Sequence, residues 1–233
     1  CCTMNYIFDV DDTLTPSREL MDKDFSKWFE HFGTHNACYW VTGSPKHMTE
    51  RQLGASIYGL AIRAYQCSGA DVWQGGERLK TSDWKLPLLA RQFLQQICAE
   101  EDFSLKNEDC IDERPGMVNY SIIGATDDTI LRDAFSEWES HNGSRRRTAD
   151  AFNKMFPDLQ ATVGGRTGID IGPRGSDKSQ ILEDFNPSEV MFFGDKTYEG
   201  GNDYELAEAV KLGGGIVHAV TKWEDTWAIL KQL

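Results

Sequence analysis

Long apolar runs are missing from this chain. Nowhere in its 233 residues is there anything approaching the roughly 20 consecutive apolar residues of a membrane-spanning helix. Positive charge is also scarce: Lys and Arg number 24 against 37 Asp and Glu, a formal net charge of -13. That balance argues against general nucleic-acid binding, which needs a basic footprint, and against an anionic membrane surface. It leaves room for a phosphorylated ligand, which a few local arginines and a metal ion can hold. The six cysteines, Cys1, Cys2, Cys38, Cys67, Cys98 and Cys110, form no CxxC pair and no dense disulfide spacing. Free thiols in a reducing cytosol are therefore expected, and with them a cytoplasmic protein. There are no internal repeats and no low-complexity or coiled-coil bias. The chain opens at Cys1 rather than a methionine, which fits a trimmed end or a cloning remnant. What is present is a hydrophobic fraction of 40%, enough for one large domain or a core with an inserted smaller one.

Hydrophobic periodicity divides the chain into two kinds of region. Short buried strands are predicted at Tyr6–Val10, Cys38–Val41, Glu189–Phe193 and Gly215–Val220. Between and after them come helical patterns at Glu19–Phe32, from Lys46, around Asp203–Lys211 and from Lys222. Such alternation predicts an α/β fold with a doubly wound parallel sheet and right-handed crossovers. The middle reads differently. Ser82–Ala99, Thr129–Trp138 and Ser144–Phe156 have helical spacing, and Pro87 is tolerable only near a helix start. Met117–Ile123 alternates, with Val118, Tyr120 and Ile122 on one face and Asn119 and Ser121 on the other, as in a half-covered antiparallel strand. Ala161–Ile171 reads as a strand interrupted by Gly164-Gly165. We therefore expect a discontinuous α/β core, residues 1–79 and 173–233, carrying an inserted α+β cap, residues 80–172.

The most telling stretch is Ile7-Phe8-Asp9-Val10-Asp11-Asp12-Thr13-Leu14-Thr15, an apolar run that ends in three carboxylates within four residues. Carboxylates so close repel one another unless a cation or hydrogen-bond donors hold them. Mg²⁺ suits such a set, because it takes oxygen ligands from one or two carboxylates and leaves room for a phosphate. Two other predicted strands also end in polar groups, Thr42 and Ser44 in one case and Asp195 in the other. Ligands in open α/β sheets collect at these carboxyl ends, so independent strands converging on one edge make a site. Lys178 stands at a predicted helix start, where the helix dipole has no use for a cation. It can neutralise phosphate and carboxylate charge instead.

Asp9-Val10-Asp11-Asp12-Thr13, Thr42, Lys178, and Asp195 with Asn202-Asp203 resemble, in order, the four motifs of the haloacid dehalogenase superfamily of aspartyl phosphotransferases. Within it, the chain is similar to the eukaryotic-type phosphomannomutases. The strings that carry the likeness are Phe8 to Arg18, Arg114 to Gly124, Val163-Gly164-Gly165, and Phe192 to Asp203 with its Gly194-Asp195-Lys196-Thr197 core. The resemblance implies that Asp9 is the nucleophile and Asp11 the general acid and base. It implies Mg²⁺ held by Asp9, the Asp11 carbonyl and Asp195, with Asn202 and Asp203 completing the site. Thr42 and Ser44 are implied as donors to phosphate oxygens. A second phosphate falls, on the same resemblance, to Arg18, Arg114, Arg132 and Asp170, with Asn119 nearby. On its helix Arg132 lies on the polar side, where the plain alternative is a solvated charge. The implied reaction interconverts hexose 6-phosphate and hexose 1-phosphate, mannose first, through an aspartyl-phosphate, with a hexose bisphosphate as activator. The implied partners are a small phosphorylated sugar and a second copy of the chain, in a homodimer through the cap.

Several positions depart from the family pattern. Ala125 stands where an arginine is expected after Ile123-Gly124, and Gly168 where a serine is expected two residues before Asp170. Asp12 replaces the glycine of DVDGT, Arg166 stands where the family tends to an uncharged residue and is a candidate to compensate, and Ala209 and Leu212 replace polar ligands of a second cation site. A charge-assisted hydrogen bond contributes about 1.5–3 kcal/mol, so one missing arginine loosens a phosphate about ten- to a hundredfold. Two readings therefore stay open beside each other: a mutase, and a Mg²⁺-dependent sugar-phosphate phosphatase of the same superfamily. A catalytically dead binding protein is a third, disfavoured because both Asp9 and Asp11 remain.

Overall fold

The computed structural model describes residues 3–233; Cys1 and Cys2, and the expectations about the chain's start, lie outside them. Its main sheet has seven strands in the order β11-β10-β1-β2-β3-β4-β5. These are β1 (Asn5–Phe8), β2 (Ala37–Val41), β3 (Arg63–Gln66), β4 (Asp71–Gln74), β5 (Glu77–Lys80), β10 (Val190–Gly194) and β11 (Ile216–Ala219). The run from β11 to β3 is parallel, with β1 flanked by β10 on one side and β2 on the other. Strand order thus reverses at β1, which puts a crevice at its carboxyl end.

The sheet is buried on both faces, so its central strands read as unbroken apolar runs. Helices α1 (Lys23–His35), α2 (Lys46–Tyr58) and α7 (Trp223–Leu230) pack over Phe8, Trp40 and Phe193. Phe8 stacks on Phe193 at 5.0 Å and meets Phe29 edge-on at 5.4 Å. Helix α6 (Tyr204–Leu212) and a short 3-10 segment, Lys178–Asp184, cover Ile7, Val41 and Phe192 from the other side. An antiparallel extension, β3-β4-β5, is the first departure from the all-parallel expectation. Its tight connection, Gly75-Gly76, has both residues at positive φ (54° and 85°), as a two-residue hairpin requires.

A second sheet has the order β6-β7-β9-β8 and is wholly antiparallel. Its strands are β6 (Ile111–Arg114), β7 (Met117–Tyr120), β8 (Leu159–Gly164) and β9 (Gly168–Pro173). Helices α3 (Leu88–Glu100), α4 (Thr129–Asn142) and α5 (Ser144–Met155) cover one face, burying Leu94, Phe135 and Phe152 against Val118, Tyr120, Ile169 and Ile171. Because side chains alternate across a strand, the intervening Asn119 and Asp170, paired in register, face the other way, towards the main sheet. The fold is a Rossmann-like α/β core with this second sheet as its cap.

Three boundaries differ from expectation for local reasons. Helix α1 starts at Lys23, not Glu19, because the Asp22 carboxylate accepts from the Asp24 and Phe25 N–H groups and caps it there. Helix α3 starts at Leu88, since Pro87 has no N–H to give an earlier turn. The interrupted strand at Ala161–Ile171 is a hairpin: Gly165, at φ 59°, turns β8 back on β9.

Candidate active site

Asp9 follows β1, and its backbone N–H donates to the Phe193 carbonyl at 2.9 Å, which pins the residue to the crevice. Lys178 Nζ donates to Asp9 Oδ1 at 2.9 Å and to Asp203 Oδ1 at 2.7 Å. All three groups are sealed, with Lys178 only 1% and Asp203 0% exposed. Asp203 Oδ2 accepts the Lys196 N–H at 3.1 Å, and Lys196 Nζ reaches Asp195 Oδ2 at 2.5 Å. Thr13 Oγ1 lies 3.4 Å from Asp9 Oδ2. Burial, reinforced by repulsion from Asp203, pushes the Asp9 carboxyl well up; burial also raises the Asp195 carboxyl. Burial also opposes charge on Lys178, but Asp203 and Asp9 outweigh it and hold the ammonium protonated.

Oxygens of Asp9, Asp195 and Asp203 lie within 4.8 Å of one another. Three carboxylates against two lysines leave a surplus of buried negative charge. This oxygen-rich, electron-surplus donor set fits a hard divalent cation. Asp11 does not join it. Its Oδ1 accepts the Arg18 N–H at 2.9 Å and Gln52 Nε2 at 2.7 Å. Asn202 also points elsewhere, its Nδ2 donating to Asp170 Oδ2 at 3.0 Å. Asp12 sits at φ 58°, in the left-handed region, with its Oδ1 accepting the Ser17 N–H at 3.2 Å. A glycine is at ease in that conformation and an aspartate tolerates it. Burial and the nearby Asp195 push the Asp12 carboxyl up to about 6.

Thr42 and Ser44 leave the end of β2 as a tight turn, the Ser44 N–H donating to Thr42 Oγ1 at 3.1 Å. With Asp9, Asp11 and Arg18 they form the core wall of a narrow cleft whose cap wall carries Arg114, Asn119, Arg132 and Asp170. The cap is closed. Arg114 Nη1 donates to the Gly43 carbonyl at 2.7 Å, and Arg132 Nη2 to Ser17 Oγ at 3.0 Å. Arg132 is not a solvated charge: it is 4% exposed, and its Nη1 also reaches Thr167 Oγ1 at 3.2 Å. Backbone bonds add a seam, Val163 N–H to Gly200 O at 2.8 Å and Asn202 N–H to Val163 O at 2.9 Å. In this state the cleft holds a volume of only about 30 Å³, the size of one water. That leaves no room for a sugar phosphate between Asp9 and Arg132.

A family model described as "Eukaryotic phosphomannomutase" matches residues 76–233. A phosphomannomutase of Arabidopsis thaliana is 34% identical over 97% of this chain and 95% of its own length, and one of Oryza sativa subsp. indica is 32% identical over 94% and 91%. The chain belongs to the eukaryotic phosphomannomutase family. Its fold is similar to that of a solved subclass IIB sugar phosphatase of the haloacid dehalogenase superfamily, with a TM-score of 0.60 at 16% identity over 99% of this chain and 98% of that one.

Against the phosphomannomutase pattern, two departures have a structural counterpart. A Cβ on Gly168 would stand 2.5 Å from Asn119 Nδ2, so the Asn119 amide fills the space of the missing serine side chain. That amide donates to Asp170 Oδ1 at 2.9 Å, and Asp170 is thereby held from both sides, by Asn119 and Asn202. Arg166 lines the cleft, with its Nη2 paired to Asp133 at 2.8 Å. Gln52, Ser17, Thr167 and Lys196 were not legible as site residues. Gln52 is 2% exposed and bonds Thr15 Oγ1 at 3.1 Å as well as Asp11, yet in sequence it is one polar residue within a helix.

Proposed function

We propose that this phosphotransferase interconverts hexose 6-phosphate and hexose 1-phosphate, mannose first, by passing the phosphoryl group through Asp9. One observation carries the reading: anion-binding groups stand on both walls of the same cleft, Thr42 and Ser44 on the core side and Arg114 and Arg132 on the cap side. A hydrolase needs to grip only the phosphate it removes, whereas a mutase must hold a second one while the first is transferred.

In this reading an Asp9 oxygen attacks phosphorus, the P–O bond to the sugar breaks, and Asp11 gives its proton to the departing sugar oxygen. On return, Asp11 takes the proton of the other hydroxyl as that oxygen attacks the aspartyl-phosphate. Gln52 and the Arg18 N–H hold the Asp11 carboxylate, and Lys178 holds Asp9. Asp9, Asp195 and Asp203, with the Asp11 carbonyl, are the groups that would hold Mg²⁺. That ion supplies charge neutralisation for the transferring phosphoryl group. The chain divides, on the same reading, into a core of residues 1–79 and 173–233 and a cap of 80–172. A cytoplasmic homodimer joined through the cap carries over with the family, and Leu88 and Leu89, 67% and 72% exposed at the start of α3, are apolar surface on that unit.

Ala125 favours the second reading, a sugar-phosphate phosphatase, because it removes one cation from the cap side. A single assay separates them. The protein is incubated with Mg²⁺, mannose 1-phosphate and a trace of hexose bisphosphate, and mannose 6-phosphate and free phosphate are followed separately. Isomer without stoichiometric phosphate is the expected result; free phosphate without isomer overturns the mutase.

A further inference from the structure

Past Arg18 and Arg114, which line both spaces, the cleft opens into a cavity of about 640 Å³. Arg51, on α2, stands on the core side of this cavity, and Ala125 and Asp127, on the loop before α4, stand on its cap side. The Asp127 carboxylate spans two guanidinium groups, with Oδ1 3.4 Å from Arg18 Nη1 and Oδ2 2.8 Å from Arg51 Nη1. One oxygen to each of two arginines is how guanidinium groups hold a phosphate as well as a carboxylate. A third donor, Arg114 Nη2, is buried in the same lining without a partner.

We propose that Arg51 joins Arg18 and the cap arginines in seating the phosphate that is not being transferred, and that Asp127 occupies the space between Arg18 and Arg51 until a substrate displaces it. The proposal rests on the phosphotransferase reading above. It moves the cation missing at position 125 from the cap to the core, where Arg51 faces the same cavity from the other side. Displacement is feasible because Arg51 and Asp127 are each 49% exposed, and exposed ion pairs are weak in water. A dianionic phosphate outbids a single carboxylate for two guanidinium groups. Arg18 also ties the seat to the chemistry: its side chain faces Asp127 while its N–H holds the Asp11 carboxylate. A phosphate in the seat is thus registered against the group proposed to move the proton.

The competing explanation is that Asp127 merely latches the cap to the core, and the two ideas differ in sign. Binding of mannose 1,6-bisphosphate and of inorganic phosphate is measured by calorimetry on the full chain with Mg²⁺, in the Asp9→Asn background so that nothing turns over. Arg51→Ala is expected to weaken the bisphosphate by about tenfold or more, Arg51→Lys to recover part of that, and both to leave inorganic phosphate unchanged. Asp127→Asn is expected to tighten the bisphosphate about threefold or more, by removing the competitor. Weakening by both Arg51→Ala and Asp127→Asn makes the contact a latch and overturns the seat, as does unaltered affinity in both. If the Asp9→Asn protein itself binds no mannose phosphate, the functional reading falls and the seat with it. Binding there with indifferent variants removes the seat alone.

Discussion

The two walls of the cleft are built on opposite principles. On the core wall, Asp9, Lys178 and Asp203 form a sealed network of charge-assisted bonds between 2.7 and 2.9 Å, anchored directly to strand and helix ends. On the cap wall, Arg114 and Arg132 close the cleft by donating to neutral acceptors of the core, the Gly43 carbonyl and Ser17 Oγ. Buried ion networks are costly to break once one partner is lost, whereas hydrogen bonds to neutral groups exchange readily for those of an incoming anion. The core half is preorganised for chemistry and the cap half is held in a state that substrate must replace. The two walls thus differ in how they are held.

The largest expected effect tests the rigid wall. Asp9→Asn should abolish turnover while leaving the far-ultraviolet circular dichroism close to that of the parent; retained activity removes Asp9 as nucleophile. Lys178→Met should lower unfolding stability by about 3–5 kcal/mol in metal-free urea titrations, because it strands two buried carboxylates. A loss below about 1 kcal/mol would mean that the network contributes little and the contrast with the cap is overstated. On the releasing wall, Arg132→Gln should raise KM about tenfold or more, with a much smaller change in stability than Lys178→Met causes. A loss of stability equal to that of Lys178→Met would erase the distinction between the walls.

The smallest effect concerns Asp12, whose folded pKa of about 6 stands above an ordinary 3.8. An acid that binds its proton more tightly when folded costs stability as pH rises through that window. Asp12→Gly removes both this cost and the left-handed strain, at the expense of the bond from the Ser17 N–H. Metal-free urea unfolding should therefore show the variant gaining on the parent between about pH 4 and about pH 6, then levelling. A flat difference would show that Asp12 is solvated and unperturbed by Asp195.

Much of the core could be read from the residues, because a buried parallel strand that ends in carboxylates or hydroxyls leaves a local signature. Asp9, Thr42 and Asp195 all follow such strands. The β3–β5 extension was not read, since β5 is exposed throughout and shows no burial pattern; the Gly75-Gly76 pair was its one visible mark. Leu20 and Met21 fall in phase with the apolar face of α1, yet Leu20 is 68% exposed and the Met21 N–H is spent on the Gln52 carbonyl. A cap residue and a distant backbone acceptor override periodicity there.

Composition, periodicity and motif order by themselves determined the layer architecture, the insertion of a second sheet, and the cluster of carboxylates at the crevice. Those features depend on side chains close together in sequence or on strand ends that any parallel sheet brings to one edge. Only the tertiary structure decided which way each carboxylate faces. Asp11 is held by Gln52, 41 residues away; Arg132, buried, donates a hydrogen bond to Ser17 Oγ, 115 residues away. Such partners have no fixed spacing in sequence, since a hydrogen bond a few ångströms long depends on how two separate elements pack.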